Sequence, residues 1–460
     1  MSRNAAKPAG IFRMDLAGES VFGTEPGAGI FTYIRTTGVQ INLDRAAAEN
    51  ASQVQVDAPI SRIMKRRTGT LVTTHYLHGF SSTDPAASPS ADDTETTQAA
   101  AHGMDFIRRI IASVVGNHKA PAGVYDATAG LGAGGAPTDT IEMTDISNFA
   151  PGDACMWETG DADFPYCCGV LKGIDTSATP NEGTLLQDTP HSDPSAGGDS
   201  VWGPYTIFSP AEHLGSDDLD PMHNTGLSGQ TNNAVSYSAH LIGLDSDDYY
   251  ECYGMRPTQV VFRPFADVPE TEVTWSVAHW DEPDSGGGPT IGTWSFPEAE
   301  DVVGNCWAAW GDAHSDGSQG GSLPLDSLEI TIAAERPEQK DPSQPSGVGG
   351  WVTTKRTITA SMTLYRDVGE EVTYYDDQEI EPFTFQMGSA PGKTWLFCIP
   401  GARVTSYPSR GETDGLVTTQ VTLSADYYNG DNGDTDGDAS DDVSRSDITP
   451  FNSHFRIYCF

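Results

Sequence analysis

Residues 355–365 read KRTITASMTLY, and apolar side chains alternate there with hydroxyl-bearing ones. The apolar positions are Ile358, Ala360, Met362 and Leu364. A repeat of two residues is the pattern of a β-strand with one buried face. Three more apolar segments follow, which read PFTFQMG from Pro382, WLFCI from Trp395 and LVTTQVTL from Leu416. Because polar turns, glycine and proline separate the segments, we predict one antiparallel sheet or sandwich.

A similar pair of strands occurs near the start of the chain, at a constant distance from this one. Val39–Leu43 is followed 27 residues later by a strand that begins at Arg66, and Leu328–Ile332 is followed 27 residues later by Lys355. The shift is 289 positions in both cases (328 − 39 and 355 − 66). It maps Arg67 on Arg356, Thr68 on Thr357 and Tyr76 on Tyr365. This common spacing predicts an internal duplication; the alternative is a chance match of two threonine-rich strands.

The charge balance excludes one large class of function. The 460 residues include 25 basic and 65 acidic ones, which gives a formal net charge of −40. Binding to nucleic-acid phosphates depends on lysine and arginine, so the surface is not that of a nucleic-acid-binding protein. Two interpretations remain, and they are compatible: adaptation to high salt, and a surface that repels DNA.

Cysteine spacing and hydropathy exclude further classes. The seven cysteines form no CxxC motif or Cys/His cluster, so we expect neither a dense disulfide framework nor a structural zinc site. The first ten residues lack the apolar segment of a secretory signal, and no stretch approaches the roughly 20 apolar residues of a membrane span. We therefore expect a soluble protein that does not leave the cell by secretion and has no membrane partner.

Composition and periodicity divide the chain into five segments. We expect an extended arm that packs on a neighbour, a first β module, an insertion or loop region, a middle β region, and a second β module with an acidic loop at 429–447 and a C-terminal strand; these cover residues 1–38, 39–180, 181–235, 236–327 and 328–460. An amphipathic helix is predicted from about His102 to Val115, after an exposed loop from Ser81 to Ala101.

No pattern predicts catalysis or a bound cofactor. The glycine-rich Gly130–Gly135 lacks the Lys-Ser or Lys-Thr of a phosphate loop, and His75, His78, His213 and His223 match no metal or catalytic spacing. Asn432, Asp434, Asp436 and Gly437 echo a calcium loop, but Val443 stands where the bidentate glutamate belongs. We predict no catalytic, cofactor-binding or metal-binding residues, and a protein that is not an enzyme. The basic cluster Arg62, Lys65, Arg66 and Arg67 pairs either with acids of its own chain or with another subunit.

Several of these segments resemble the major tail tube proteins of long-tailed, siphovirus-like viruses. The resemblance rests on Thr357–Tyr365, Pro382–Gly388, Pro391–Arg403 and Asp414–Val417, on Tyr253–Val260 with the strand around Trp275, and on Arg67–Gly69 with its strand. It implies a mainly β fold, with β-sandwich or barrel-like tail-tube domains, two of them in tandem, a flanking α-helix and long acidic loops.

The resemblance also implies a function and partners. Copies of the chain would join sheet edges into rings, and the rings would stack into a virion tail tube with a negatively charged lumen. Genomic DNA would pass through this lumen without specific binding. Three copies would form a pseudo-sixfold ring if the duplication is real, and six copies if it is not. Other partners would be the terminator, tape measure and tail-tip proteins, with assembly in the cytoplasm of a host that the acidity suggests is salt-adapted. The alternative is a salt-adapted extracellular β-rich enzyme or calcium-binding surface protein.

Overall fold

The computed structural model is mainly β, as the alternating pattern predicts. The structure describes residues 13–19, 22–23, 32–34, 36–49, 62–77, 110–115, 117–119, 124–126, 138–143, 149, 152–159, 164–175, 181–189, 200–208, 236–242, 249–265, 268–281, 306–311, 323–342, 347–351, 353–366, 369–390, 393–426 and 454–460. The predicted loops at 81–101 and 429–447 and the glycine-rich residues 130–135 lie outside these ranges.

The described residues form 26 strands and one complete helix, which we number in chain order. The first thirteen strands are β1 (Arg13–Gly18), β2 (Thr32–Ile34), β3 (Gly38–Glu49), β4 (Arg62–Tyr76), β5 (Asn117–Lys119), β6 (Val124–Asp126), β7 (Thr138–Met143), β8 (Ala154–Glu158), β9 (Tyr166–Asp175), β10 (Asn181–Thr189), β11 (Ser200–Trp202), β12 (Tyr205–Phe208) and β13 (Tyr237–Ile242). The others are β14 (Tyr249–Arg263), β15 (Glu270–Val277), β16 (His279–Asp281), β17 (Cys306–Trp310), β18 (Leu325–Glu335), β19 (Glu338–Lys340), β20 (Val348–Trp351), β21 (Lys355–Leu364), β22 (Ile380–Met387), β23 (Trp395–Val404), β24 (Ser409–Thr413), β25 (Leu416–Ala425) and β26 (Arg456–Cys459). The helix α1 is Glu370–Asp377.

The four segments that opened the sequence analysis are strands of one antiparallel sheet. They are β21, β22, β23 and β25, and β25 pairs with both β21 and β23. Along β21 the side chains alternate as predicted, with Ile358, Ala360, Met362 and Leu364 buried. The C-terminal strand β26 is docked between β23 and β12, and Ile457 and Phe460 are buried.

A continuous row of eight antiparallel strands forms the centre of the largest sheet. Its order is β3-β4-β15-β14-β18-β21-β25-β24. One face of the row covers the main core, where Val273, Trp275 and Val277 of β15 are buried as the sequence predicted. Indole Nε1 of Trp275 donates a hydrogen bond to Oγ1 of buried Thr73, 3.0 Å away, so β15 is also joined to β4 by side chains.

A separate six-stranded sheet packs on the main sheet through a buried glutamine. Its order is β6-β11-β8-β9-β10-β7. Gln386 of β22 accepts hydrogen bonds from the Cys168 backbone N–H (2.8 Å) and from Trp307 Nε1 (2.6 Å). Its Nε2 donates to the carbonyls of Tyr166 (3.1 Å) and Gly388 (2.9 Å). Because Cys168 and Tyr166 belong to β9, this one side chain connects the two sheets. The stretch 181–235, predicted as an insertion, contributes β10, β11 and β12 to them.

Two arginines, one buried and one half-buried, hold a helical segment against the main sheet. Residues 110–115 are helical and fully buried, which confirms that part of the predicted helix; residues 102–109 lie outside the described ranges. Arg336 donates to the Ser113 carbonyl, and Arg356 Nε donates to the Val114 carbonyl at 3.1 Å. Carbonyls at a helix C-terminus are rich in negative partial charge and attract cations. Burial, and to a smaller extent the charge of nearby Arg256, lower the pKa of Arg356 to about 10.

The described part of the N-terminal arm belongs to this chain's own sheet. Strand β1 pairs with β13 and β2, and Met14 and Leu16 are fully buried. The buried carboxylate of Glu19 accepts four hydrogen bonds of 2.6–2.7 Å, from the backbone N–H groups of Gly23 and Gly254 and the hydroxyls of Ser236 and Ser238. A charged acceptor with four donors is strongly held, so the carboxylate fixes the end of β1 on β13 and β14.

Candidate functional site

The eight-strand row consists of two series of four strands with the same internal order. The first series is β3-β4-β15-β14, and the second is β18-β21-β25-β24. In each series the first two strands pair with each other, and the last two form a hairpin. Of the two hairpin strands, the one that comes later in the chain pairs with the second strand of the series. The chain reaches the four strands in the same sequence both times.

Strand registers repeat as well as strand order. A shift of 289 carries the pair Val39–Thr73 onto Leu328–Met362, and both are directly opposed in the sheet. For the hairpins the shift is 148 (421 − 273), since Val273 lies opposite Thr73 and Val421 lies opposite Met362. The same 148 carries the pair Arg263–Glu270 onto Gly411–Thr418. A one-residue slip would place core side chains on the wrong face, so two matching registers are a specific correspondence.

The two series meet edge to edge inside the chain. Strand β14, the last of the first series, pairs with β18, the first of the second, through Gln259–Ala333, Val260–Ile332, Val261–Thr331 and Phe262–Ile330. Within the described residues, β3 and β24 at the two ends of the row each pair with one strand only, β4 and β25. The end strands are therefore the counterparts of two strands that pair with each other in the middle of the row.

Four exposed apolar side chains lie near the two ends of β24. Of the described large apolar residues, those that are exposed are Tyr365, Tyr407, Leu416 and Val417. Tyr407 (61% exposed) precedes β24, Leu416 (58% exposed) and Val417 begin β25, and Tyr365 follows the last β21 residue, Leu364, which lies opposite Thr419. We call these four residues the apolar corner. Tyr365, Leu416 and Val417 thus lie toward one end of β24, and Tyr407 lies at the other end. Several exposed apolar side chains near one strand are typical of a surface that contacts another molecule.

The row presents a polar face on the side away from its core. From β4 to β21 this face carries mostly threonine and serine, with one glutamine, a few apolar side chains and a few charges. Over residues 259–263 of β14 and 327–335 of β18, and among the described side chains of β4, β15 and β21, the acids on it are Glu270, Glu272, Glu329 and Glu335, and the bases are Arg263 and Lys355. Hydroxyl groups therefore outnumber charged groups on this face, and the charges have a small negative excess.

Arg263 is the centre of a charge cluster where the two series meet. Its guanidinium lies 3.0 Å from Glu329, 3.4 Å from Glu270 and 3.4 Å from Glu272. Glu329 belongs to β18, while the other two glutamates belong to β15. Burial by itself lowers the pKa of Arg263, but the hydrogen bond to Glu329 and the charge of Glu272 outweigh it and the net shift is upward. The cluster therefore ties β15, β14 and β18 together across the junction.

Replacing Arg263 by glutamine should destabilise this junction in a salt-dependent way. Three carboxylates would then lie close together without their shared cation. We expect the free energy of unfolding to fall by about 1 kcal/mol in dilute buffer, and the loss to shrink in 1 M salt, where the Debye length is only about 3 Å. Urea denaturation at the two salt concentrations measures it. The matched control is Lys355→Gln, which removes one positive charge from the same face; an equal loss in the control would contradict a specific role for the cluster.

The structure accounts for the other candidate residues as follows. His75 is buried in the core, with Nε2 2.9 Å from Oγ1 of Thr73. All seven cysteines are free thiols. His78, His213, His223 and the acidic run 431–442 lie outside the described ranges, and Arg62–Arg67 belong to β4. Across the part of the chain that the structure describes, no three His, Cys, Asp or Glu side chains are grouped to hold a metal ion.

The strand edges, the polar face and the apolar corner are features that sequence reasoning missed, apart from the general expectation of edge-to-edge assembly. Among the described helical residues, no helix has the length and apolar character needed to cross a bilayer. No protein-family model matches the chain, and no curated protein matches it.

Proposed function

We propose that the chain contains two tandem copies of one β module. Elements correspond beyond the eight-strand row. Before its first row strand each half has a strand that pairs with a later hairpin: β1 with β13, and β17 with β22. Each half has helical residues after its second row strand. Each half also has an antiparallel pair of strands through which the chain enters its last two row strands: β13–β14 in the first half and β22–β23 in the second. The six-stranded sheet is then an insertion in the first copy. We further propose that each copy is a sandwich-like or barrel-like domain of the tail-tube type.

The function that this arrangement supports best is structural: a subunit of a viral tail tube that assembles with copies of itself into rings. The observation that carries the proposal is the β14–β18 junction. Inside the chain, the last row strand of the first module pairs with the first row strand of the second module. The last row strand of the second module, β24, and the first row strand of the first module, β3, remain at the two ends of the row. Two copies of the chain can form the same kind of junction between β24 of one copy and β3 of the other. Such head-to-tail contacts generate a ring when the rotation closes, and closure removes the exposed strand edges that would otherwise promote aggregation.

The dimensions of such a ring suit a conduit. Three copies would contribute 24 row strands, eight from each. Strands about 4.8 Å apart, tilted by about 40°, close a 24-stranded barrel roughly 50 Å across between backbones. Inward side chains would narrow the bore to about 40 Å, which admits a DNA duplex with a layer of water. We therefore propose three copies in a pseudo-sixfold ring, and stacked rings that form the tube of a virion tail.

The polar face of the row would line this bore. Threonine and serine hydroxyls form weak, exchangeable hydrogen bonds, and the small carboxylate excess repels phosphate, so DNA would slide instead of binding. The partners would be other copies of this chain, the remaining tail proteins and, without specific contacts, the genomic DNA. The chain would act without a catalytic step or cofactor.

Negative-stain electron microscopy of the purified protein tests the proposal. We expect hollow rings whose outer diameter exceeds the roughly 50 Å of the strand barrel, because the rest of each chain surrounds it. At high protein concentration the rings should form stacks. Salt should be varied from dilute buffer to molar concentrations, because a net charge of −40 opposes association until it is screened. Single globular particles at every salt and protein concentration would contradict a tube subunit, and six identical subunits around a ring would contradict the tandem modules.

A further inference from the structure

The internal junction specifies which residues should meet between two copies. The strands β14 and β24 correspond through the shift of 148, and β18 and β3 correspond through the shift of 289. Applying both shifts to the observed pair Val261–Thr331 gives Ser409 of one copy opposite Asn42 of the next. Likewise, the observed pair Phe262–Ile330 gives Arg410 opposite Ile41.

We propose that β24 of one copy pairs antiparallel with β3 of the next copy, with Ser409 directly opposite Asn42. This inference rests on the proposed function and deepens it, because it names the two strands and the register of the contact between copies. The occupant of the open edge of β24 is therefore a second copy of this chain.

The faces of the two strands agree with this register. Asn42 and Gln40 are exposed on β3, whereas Val39 and Ile41 pack on the core. Ser409 lies opposite Gln420 of β25, which is also exposed. The register therefore continues the polar face from one copy to the next. A slip of one residue would pair Ser409 with Ile41 and so put polar side chains of one strand on the same side as core side chains of the other, which is disfavoured. The hydrocarbon part of Arg410 can cover Ile41 where Phe262 covers Ile330 inside the chain.

The apolar corner lies near both ends of the strand that would pair with the next copy. In the proposed register Thr413 faces Gly38, so the turn at Asp414 and Gly415 is level with Thr37 of the neighbour. Leu416 and Val417 follow that turn directly, and Tyr407 precedes β24 at its other end. Exposed apolar side chains thus border both ends of the strand that is proposed to pair.

A pair of engineered cysteines tests the register. Directly opposed residues of antiparallel strands have Cα atoms about 4.5–5.5 Å apart, within the range of a disulfide. The double variant Asn42→Cys/Ser409→Cys should therefore cross-link neighbouring copies under mild oxidation. Both residues are exposed, so the variant should fold. Six of the native thiols are buried, and burial raises the pKa of the half-buried Cys306 to about 11, so the native thiols compete little.

The matched control is Asn42→Cys/Thr413→Cys, in which the second cysteine lies four residues out of register, about 13 Å away along the strand. We expect at least a tenfold lower yield of cross-link than in the in-register variant. Each single-cysteine variant should stay uncross-linked, because a disulfide in either one would mean that identical edges pair. On non-reducing gels a closed ring of three copies should give a ladder that ends at the trimer.

The outcomes separate this inference from the proposed function. Rings in the microscope together with equal cross-linking of both double variants, or with no cross-link in the in-register variant, would overturn the register and leave the tube function standing. Absence of rings and of cross-links in every variant and in the unmodified chain would overturn both.

Discussion

Replacing Leu416 and Val417 together by lysine should leave the chain folded and prevent it from forming rings. Both side chains are exposed in the single chain, 58% and 39%, so neither contributes much to its core. Beside a pairing edge, the two lysines would have to lose water without a partner. Burying such charges costs several kcal/mol, and about 4 kcal/mol lowers the association constant roughly a thousandfold. Lysine beside an edge strand is also a common natural device against strand pairing.

Sedimentation velocity and negative-stain microscopy measure the effect, with thermal unfolding as the check on folding. The control is Gln339→Lys/Thr354→Lys, which adds the same two charges at exposed positions near the opposite end of β18. The control should form rings like the unmodified chain. If the Leu416/Val417 variant still forms closed rings but no stacks, the apolar corner belongs to the contact between rings. It would then not belong to the proposed contact between β24 and β3 of neighbouring copies.

The sequence predicts individual strands well because burial on one face leaves a period of two. Strands β15 and β21 follow this pattern residue by residue, and the shift of 289 between β3 and β18 is visible as spacing. The shift of 148 between β15 and β25 is not. Thr271, Val273 and Trp275 correspond to Thr419, Val421 and Leu423, and the threonine and valine that they share are common in any alternating strand. The proposed duplication is therefore supported more by the hydrogen-bond registers than by the residues.

Contacts between distant strands were beyond sequence reasoning. Nothing in Val260 and Ile332 indicates that they face each other, because pairing depends on the position of all the strands between them. One overlooked signal was Arg356, a charged residue in phase with the buried Ile358. A charged side chain on the core side of a strand needs a hydrogen-bond partner there, and the partner of Arg356 is the Val114 carbonyl at the end of the helical segment.

Gln386 illustrates a different reason for failure. In PFTFQM the aromatic residues take one face of β22, so alternation alone would place Thr384 and Gln386 in water. Both are buried, because the six-stranded sheet covers the other face of the strand. A strand enclosed on both sides carries polar residues only where they find partners. A glutamine in such a strand predicts a hydrogen-bonded bridge once the covering layer is known, and the covering layer is not visible in the strand itself.

Replacing Gln386 by leucine should be among the most destabilising single changes in the chain. Leucine has a similar size but would leave the Cys168 N–H, the Trp307 indole N–H and the carbonyls of Tyr166 and Gly388 without this partner. Each buried polar group left unsatisfied costs about 1–3 kcal/mol, and some of the four can find substitutes, so we expect a total loss of about 3–5 kcal/mol. The contact between β22 and β9 should weaken most.

Denaturant unfolding gives the size of the loss, and limited proteolysis gives its location. Cleavage should become faster in the six-stranded sheet before it does in the eight-strand row, because the glutamine joins the six-stranded sheet to β22, which lies outside the row. The matched control is Gln420→Leu, the same chemical change at an exposed position of β25, which should stay within about 0.5 kcal/mol of the unmodified chain. If both variants have the same stability, the buried bridge does not hold the two sheets together. If Gln386→Leu speeds cleavage of the row and the six-stranded sheet equally, the two sheets unfold as one unit, and the bridge acts on the whole fold instead of on the contact between them.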